Sequence, residues 1–393
     1  MNENYYIGID VGKFKHCAAI ISNYGEVKVN SFFFSNDQSG FKKLYDSIKP
    51  YVKVKHLIGM EDTGHYADNL RIFLLDKELS VAMINPISTD AFRKALMKTT
   101  KTDKQDALFI AQVIQSPSLY RTVKKSDFDY HEMRELTRYH HNMKETCQRH
   151  KARLQKCIDI VFPEFNSLFS NSYGSAYMRL LSEFQSADTI ANTDIHKIHN
   201  VLKPKGRGRT VSFTAEQLKE LAKSSVGQPS PTLEMEIKHL VELIQMIDND
   251  IQEADKKIEE FSKNLNSPIL YIPGISHFAG ISIISELSDI KRFSSSNKVI
   301  RFAGVNPIVY QSGQYNASMT KISKKGSKYL RKTLYQIIVP VIDNNPVFKE
   351  YYNKKINEGK TPRCAQGHCV RKLLRVIYHL LTTEQEYNPA LLR

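Results

Sequence analysis

Asn4-Tyr-Tyr-Ile-Gly-Ile-Asp10, His16-Cys-Ala-Ala-Ile-Ile-Ser22 and Glu26-Val-Lys-Val-Asn-Ser-Phe-Phe-Phe34 are three runs rich in β-branched and aromatic residues, and Asn23-Tyr-Gly25 supplies turn chemistry between the last two. They predict a β-meander at the start of the chain. Beyond it the pattern alternates. A helical stretch at Gly40–Lys49 precedes a strand at His56–Glu61, a helix at Ala67–Asp76, a strand at Ser80–Ile84 and helices over Thr89–Lys98 and Asp103–Gln115.

A meander followed by alternating elements describes the ribonuclease H-like α/β fold, in which carboxylates gather from strand one, strand four and the final helix. Asp10 ends the first run, Glu61 ends the fourth, and Asp103 and Asp106 stand three residues apart where the last helical pattern begins. Singly, each has an ordinary explanation: a turn Asp before Gly12, a helix-start charge beside Asp62, an N-cap with a first-turn acid. Together and in this order they predict a metal site. Hard cations such as Mg²⁺ bind through oxygen, and two-metal phosphoryl chemistry needs several carboxylates around ions about 3.5–4 Å apart.

The 393 residues allow two or three domains, and 41% apolar with 25% charged residues is ordinary for a globular protein. No apolar run approaches the roughly 18 residues needed to span a membrane, and the first six residues lack the pattern of a signal peptide. The expected location is cytoplasmic, without membrane contact. Cys17, Cys147, Cys157, Cys364 and Cys369 follow no framework spacing and are expected as free thiols. Cys364, His368 and Cys369 lack the second ligand pair of a zinc site. The net charge of +15 divides into +5 for residues 1–125, −2 for 126–265 and +12 for 266–393. Such a basic end predicts a polyanionic partner, because Lys and Arg gain binding energy by displacing counterions from phosphates.

In the middle of the chain, positions 133, 136, 140, 143, 147, 150, 154, 157 and 161 alternate steps of three and four, as do Ile237, Leu240, Ile244, Ile247, Ile251, Ala254, Ile258 and Phe261. Both runs predict long helices with one apolar seam, paired as an antiparallel hairpin or as a dimerising coiled coil. Pro163 closes the first. Between them lie short helical pieces and the basic loop Lys203-Pro-Lys-Gly-Arg-Gly-Arg209, whose Lys203, Lys205, Arg207 and Arg209 are candidate nucleic-acid contacts. Pro268 opens a third unit. There Ile272-Pro-Gly-Ile275 suggests a helix-hairpin-helix turn, with Gly274 at a phosphate contact. Lys321, Lys324, Lys325, Lys328, Arg331 and Lys332 share one helical face that should meet phosphate.

Read together, Gly8-Ile-Asp-Val-Gly-Lys13, Gly59-Met-Glu-Asp-Thr-Gly-His-Tyr66, Asn85-Pro86, Lys101-Thr-Asp-Lys-Gln-Asp-Ala107, the helix Arg134–Pro163, Phe302-Ala-Gly-Val-Asn-Pro307, Gln311-Ser-Gly313 and Ile322-Ser-Lys-Lys-Gly-Ser-Lys-Tyr-Leu-Arg331 resemble the DEDD transposases of the insertion-sequence one-ten group, relatives of the Piv DNA invertase. The resemblance implies a RuvC-like catalytic domain over 1–125, in which Asp10, Glu61, Asp103 and Asp106 match the family's four acids and hold Mg²⁺, with Mn²⁺ as the alternative ion. It implies a helical coiled-coil domain with an inserted subdomain over 126–265. Over 266–393 it implies a mainly helical transposase domain with a serine nucleophile, best matched by Ser312, with Ser318 and Ser323 next in line. It further implies an RNA-guided recombinase that forms a covalent phosphoserine–DNA intermediate. Its partners would be double-stranded donor and target DNA and a structured non-coding guide RNA, called a bridge RNA. Homo-oligomers, dimers that become tetramers on DNA, would join the acids of one subunit to the serine of another.

Three other readings compete. A metal-dependent nuclease of the Holliday-junction-resolvase type would use the same acids without a covalent intermediate. A sugar kinase of the actin-like class could use Gly8-Ile-Asp-Val-Gly-Lys13 as its first phosphate loop, but no second Gly-rich loop follows. A DNA-binding protein with decayed acids would bind without cutting.

Overall fold

The computed structural model describes residues 3–62, 64–95, 102–125, 130–170, 172–203, 211–308, 311–312, 315–316 and 321–392. The chain divides into two compact units, Met1–Tyr130 and His131–Arg393.

The first unit is built on strands β1 (Tyr5–Asp10), β2 (Lys15–Ser22), β3 (Val27–Ser35), β4 (His56–Glu61), β5 (Val81–Ile84) and β6 (Tyr120–Val123), with helices α1 (Gln38–Ile48), α2 (Asp68–Asp76), α3 (Pro86–Ala95) and α4 (Asp103–Val113). The predicted meander and alternation are present, with ends shifted by a few residues. One sheet holds all six strands in the order β3-β2-β1-β4-β5-β6. β1, β4 and β5 run parallel, while β2, β3 and β6 join antiparallel. β6 was not expected. Its four residues are too few to show a period of two.

Alternation along the strands sorts the sheet into two faces. Ile7, Ile9, Ala18, Ile20, Ile58, Met60, Val81 and Met83 pack with Leu44 and Ile48 of α1 and Leu70 and Leu74 of α2. Leu57, Ala82 and Ile84 pack on the other face with Phe109, Ile110, Val113 and Ile114 of α4. Glycines let α4 come close: a Cβ on Gly8 would lie 2.0 Å from the Ala107 carbonyl oxygen, and one on Gly59 2.5 Å from the Ile114 side chain.

The second unit begins with α5 (His131–Val161) and returns along α10 (Pro231–Leu265). The pairs Arg153–Glu236, Lys151–Asp248 and His140–Asp255 run in opposite directions along the two helices, so the hairpin is antiparallel. Ile237, Leu240, Ile244, Ile247, Ile251, Ala254 and Ile258 are all buried within the single chain. The regular seam is thus covered internally by the hairpin, and the alternative of a seam left open for a second chain falls. Phe162 and Pro163 start a 3₁₀ turn that ends α5, and helices α6 (Ser175–Glu183), α7 (Ala187–Ala191), α8 (Ile195–Leu202) and α9 (Ala215–Lys223) add Tyr177, Leu180, Phe184, Ile190, Ile198 and Leu218 to the same core.

Helices α11 (His277–Leu287), α12 (Ser296–Phe302), α13 (Lys328–Asn344), α14 (Pro346–Asn357) and α15 (Pro362–Thr383) complete the unit with the short strands β7 (Gln311–Ser312) and β8 (Tyr315–Asn316). Buried Glu286 of α11 accepts two hydrogen bonds from Arg138 of α5, at 2.6 and 3.2 Å, and one from the Ser327 hydroxyl at 2.7 Å. Ser327 also caps α13 by accepting the Leu330 N–H. One carboxylate therefore ties three helices, and removing the Arg138 guanidinium would leave the Glu286 charge buried and uncompensated, at a cost of about 3–5 kcal/mol. All five cysteines are free. Among the described residues, no helix is long and apolar enough to cross a membrane.

Candidate active site

Parallel pairing sets Ile9 of β1 against Met60 of β4, so Asp10 and Glu61 follow side by side at the carboxyl ends of neighbouring strands. Both belong to the alternating set that includes Gly8 and Gly59, on the face covered by α4. Helix α4 lies antiparallel to these strands: Ala107 and Ala111 cross Gly8, while Gln115 beyond its end donates to the Ser22 carbonyl, opposite Tyr5 at the start of β1. Its amino-terminal turn, with Asp103 and Asp106, therefore points back toward Asp10. The Cys17 thiol records this convergence. It pairs in register with Asp10 and is pushed up to about 11 by burial, then by the negative charges of Asp10 and Asp103. At neutral pH it stays a thiol.

Local chemistry leaves Asp103 available. The N-cap of α4 is Thr102, whose hydroxyl accepts the Gln105 N–H at 3.3 Å, so Asp103 is not consumed as a cap and stays exposed. Asp62 is exposed, lies 3.7 Å from Arg121 of β6, and gives its N–H to the Ile84 carbonyl. Position thus favours its neighbour Glu61. After β1, the Gly12 N–H donates to His16 Nδ1 and closes the turn that follows Asp10; burial holds the His16 imidazole below its usual range, hence neutral.

Asp106 is different. It is 8% exposed and its carboxylate accepts a hydrogen bond from Arg93 of α3 at 2.9 Å, while the Arg93 guanidinium lies 5.2 Å over the Phe109 ring. Sequence reading missed this partner, because Arg93 lies in a run of mixed residues with no motif around it. Among the described residues, no three of His, Cys, Asp and Glu come close enough together to hold an ion. The donor set fits a hard divalent cation in its chemistry: carboxylates toward one end of one sheet face, with Asp10, Glu61, Asp103 and Asp106 as the groups that could hold it. The cage is not closed, and a cationic side chain occupies Asp106.

In the second unit, Ser312 lies on β7 and pairs with Tyr315 of β8. Its own backbone is in the strand, and Pro307 makes one isolated bridge with Ile322. Ser318, Lys205, Arg207 and Arg209 lie outside the described residues. Ser323 donates its hydroxyl to Asn306 at 2.6 Å.

The expected basic face is partly used within the protein. Lys332 pairs with Glu145 at 2.6 Å, Arg331 donates to the Ala303 carbonyl, Lys328 covers the Tyr329 ring, and Lys203 donates to Asn200. Lys321, Lys324 and Lys325 are exposed. Gly274 adopts φ +94° with its Cβ direction 2.6 Å from the Pro340 carbonyl, so close packing on α13 accounts for glycine there without any phosphate.

Residues 7–163 match the family described as Transposase, the DEDD transposases of IS110, and residues 266–353 match the Transposase IS116/IS110/IS902 family. The chain belongs to the IS110 transposase family. It is by that membership a DNA transposase or recombinase. Its full-length relatives include the pilin gene-inverting proteins of Moraxella bovis and Moraxella lacunata, each 24% identical over 389 residues, covering 98% of this chain and 97% of theirs. The insertion element IS900 42 kDa protein of Mycobacterium paratuberculosis is 22% identical, covering 99% of this chain and 98% of that protein. The first match contains β1, β4 and α4 with all four acids, and the second contains Ser312 and the basic segment.

If Arg93 competes with a cation for Asp106, Arg93→Ala should tighten Mn²⁺ binding about tenfold, since a hydrogen bond to a charged group is worth about 1.5–3 kcal/mol. Calorimetric titration reads this directly. An affinity equal to that of the unmodified chain would show that the pair does not guard the site.

Proposed function

We propose that this IS110-family chain cuts and rejoins DNA strands through a RuvC-like domain, residues 1–125, and a transposase domain, residues 266–393, joined by a helical domain over 126–265. The observation that carries the reading is the convergence of Asp10, Glu61 and the first turn of α4 at one end of the sheet, in a chain whose family acts on DNA. The sheet order β3-β2-β1-β4-β5-β6, with its opening meander and parallel β1, β4 and β5, supports the RuvC-like reading of the first unit.

The carboxylates are the groups that would hold Mg²⁺ or Mn²⁺. A cation bound there neutralises charge on a phosphodiester and so assists attack on it. Asp10 and Glu61 come from adjacent strand ends, while Asp103 and Asp106 come from one helix turn. Ser312 is the proposed nucleophile. Its Oγ forms a bond to phosphorus, the bond from phosphorus to the 3′-oxygen breaks, and the hydroxyl proton passes to the departing 3′-oxygen. The product is a phosphoserine link to one strand end and a free 3′-hydroxyl on the other. Phosphodiester is exchanged for phosphodiester, so the bond is kept for rejoining.

The family resemblance extends the proposal to a structured guide RNA that pairs with donor and target DNA, and to homo-oligomers, dimers that become tetramers on DNA, in which the acids of one subunit serve the serine of another. One purification checks both. The full chain should carry a single defined RNA and weigh two or four chains by light scattering; a monomer with random cellular RNA would contradict the extension.

Ser312→Ala should abolish a denaturation-resistant protein–DNA adduct on a gel and reduce recombination to background. Full recombination without the adduct would sink the serine mechanism; cleavage without rejoining would leave hydrolysis by the acids alone, the chemistry of a junction-resolving nuclease.

A further inference from the structure

A cleft of about 540 Å³ opens in the second unit between α12, the segment that follows it, and α15. Lys298 and Arg301 line one side, Arg371 and Arg375 the other, and Asn306 with Pro307 forms the floor. The spacings are i, i+3 on α12 and i, i+4 on α15, so each helix turns two cations to the same side. No Asp or Glu lines the cleft. Among the described residues none of these four cations makes an ion pair, in contrast to Arg138, Lys332 and Lys355, each of which faces a carboxylate. Lys298, Arg301 and Arg375 are exposed and Arg371 is half-buried.

Four unpaired like charges around one cleft repel one another and weaken the fold that holds them. A bound polyanion reverses the sign of that term. The charge also extends sideways, since Arg371, Arg363 and Arg331 all act on the Tyr335 hydroxyl.

The floor of the cleft is also the root of the arm that carries Ser312. The Asn306 side chain accepts the Ser323 hydroxyl, the Ser323 N–H donates to the Asn306 carbonyl, and Pro307 bridges Ile322. Ser312 follows Pro307 by five residues. A fully extended chain spans at most about 3.4 Å per residue, so Ser312 lies within roughly 17 Å of the cleft floor. That is the rise of about five base pairs at 3.4 Å each.

We propose that this cleft seats backbone phosphates of the DNA strand whose neighbouring phosphodiester Ser312 attacks. The proposal rests on the recombinase reading and adds to it a phosphate-binding site whose residues form no run in the sequence. Two helices 70 residues apart supply the cations in pairs.

The test measures binding of the full chain to a labelled DNA duplex by fluorescence anisotropy across about 50–200 mM salt. Removing two phosphate contacts should make the slope of log affinity against log salt shallower by about 1.8. This is expected for Arg371→Ala with Arg375→Ala, and separately for Lys298→Ala with Arg301→Ala, whose exposed side chains spare the fold. Restoring charge with Arg371→Lys and Arg375→Lys should return the slope. Lys257→Ala with Lys263→Ala removes the same net charge from α10 and should leave it unchanged. Slopes equal to the unmodified chain in both cleft pairs, or the same change in the α10 pair, would overturn the proposal. A change seen with a structured RNA but not with the duplex would overturn it in favour of an RNA seat. Absence of any salt-dependent DNA binding by the unmodified chain would instead overturn the recombinase reading itself.

Discussion

The approach of α4 to the bare backbone of β1 and β4 is the constraint on which the proposed catalytic arrangement depends. Gly8 and Gly59 leave no side chain between strand and helix, and a Cβ at Gly8 would collide with the Ala107 carbonyl. That oxygen cannot retreat without moving the helix, because main-chain atoms hold its turn. Once α4 is seated, the direction of the helix and the period of two in the strands do the rest. They bring acids separated by about a hundred positions in sequence to one end of one face.

A second constraint organises the helical unit. Glu286 is 2% exposed and answers Arg138 and Ser327, so the start of α13 cannot shift without stranding a buried charge. Ser327 caps α13 and closes the segment that holds Lys321, Lys324 and Lys325 at the surface. Basic residues that look equivalent in sequence thereby divide. Arg331 and Lys332 brace the protein, while those before the cap remain open to a ligand.

Much of this was legible in the sequence. Period-two runs with Asn-Tyr-Gly between them declared the meander, and a clean heptad over Ile237–Ile258 declared α10, because each element buries one face and the pattern records which. The positions of Asp10 and Glu61 at strand ends, and of Asp103 and Asp106 in the first turn of a helix, were legible too. What was not legible depends on partners distant in sequence. Arg93 bears no mark of its bond to Asp106, Thr102 rather than Asp103 caps α4, and the heptad could not say whether its seam met another chain or α5. Local spacing fixes a face, not what covers it. The cations of α12 and α15 escaped for the same reason, since two short spacings gain meaning only when two helices are adjacent.

The account places the acids and the serine in service of one phosphodiester, although they belong to different units of the chain. The most direct measurement is the yield of denaturation-resistant protein–DNA adduct formed in Mg²⁺ by Asp10→Asn with Ser312 intact. The account predicts that the adduct disappears while DNA binding persists. Adduct at the level of the unmodified chain would contradict it, because the serine would then react without the acids.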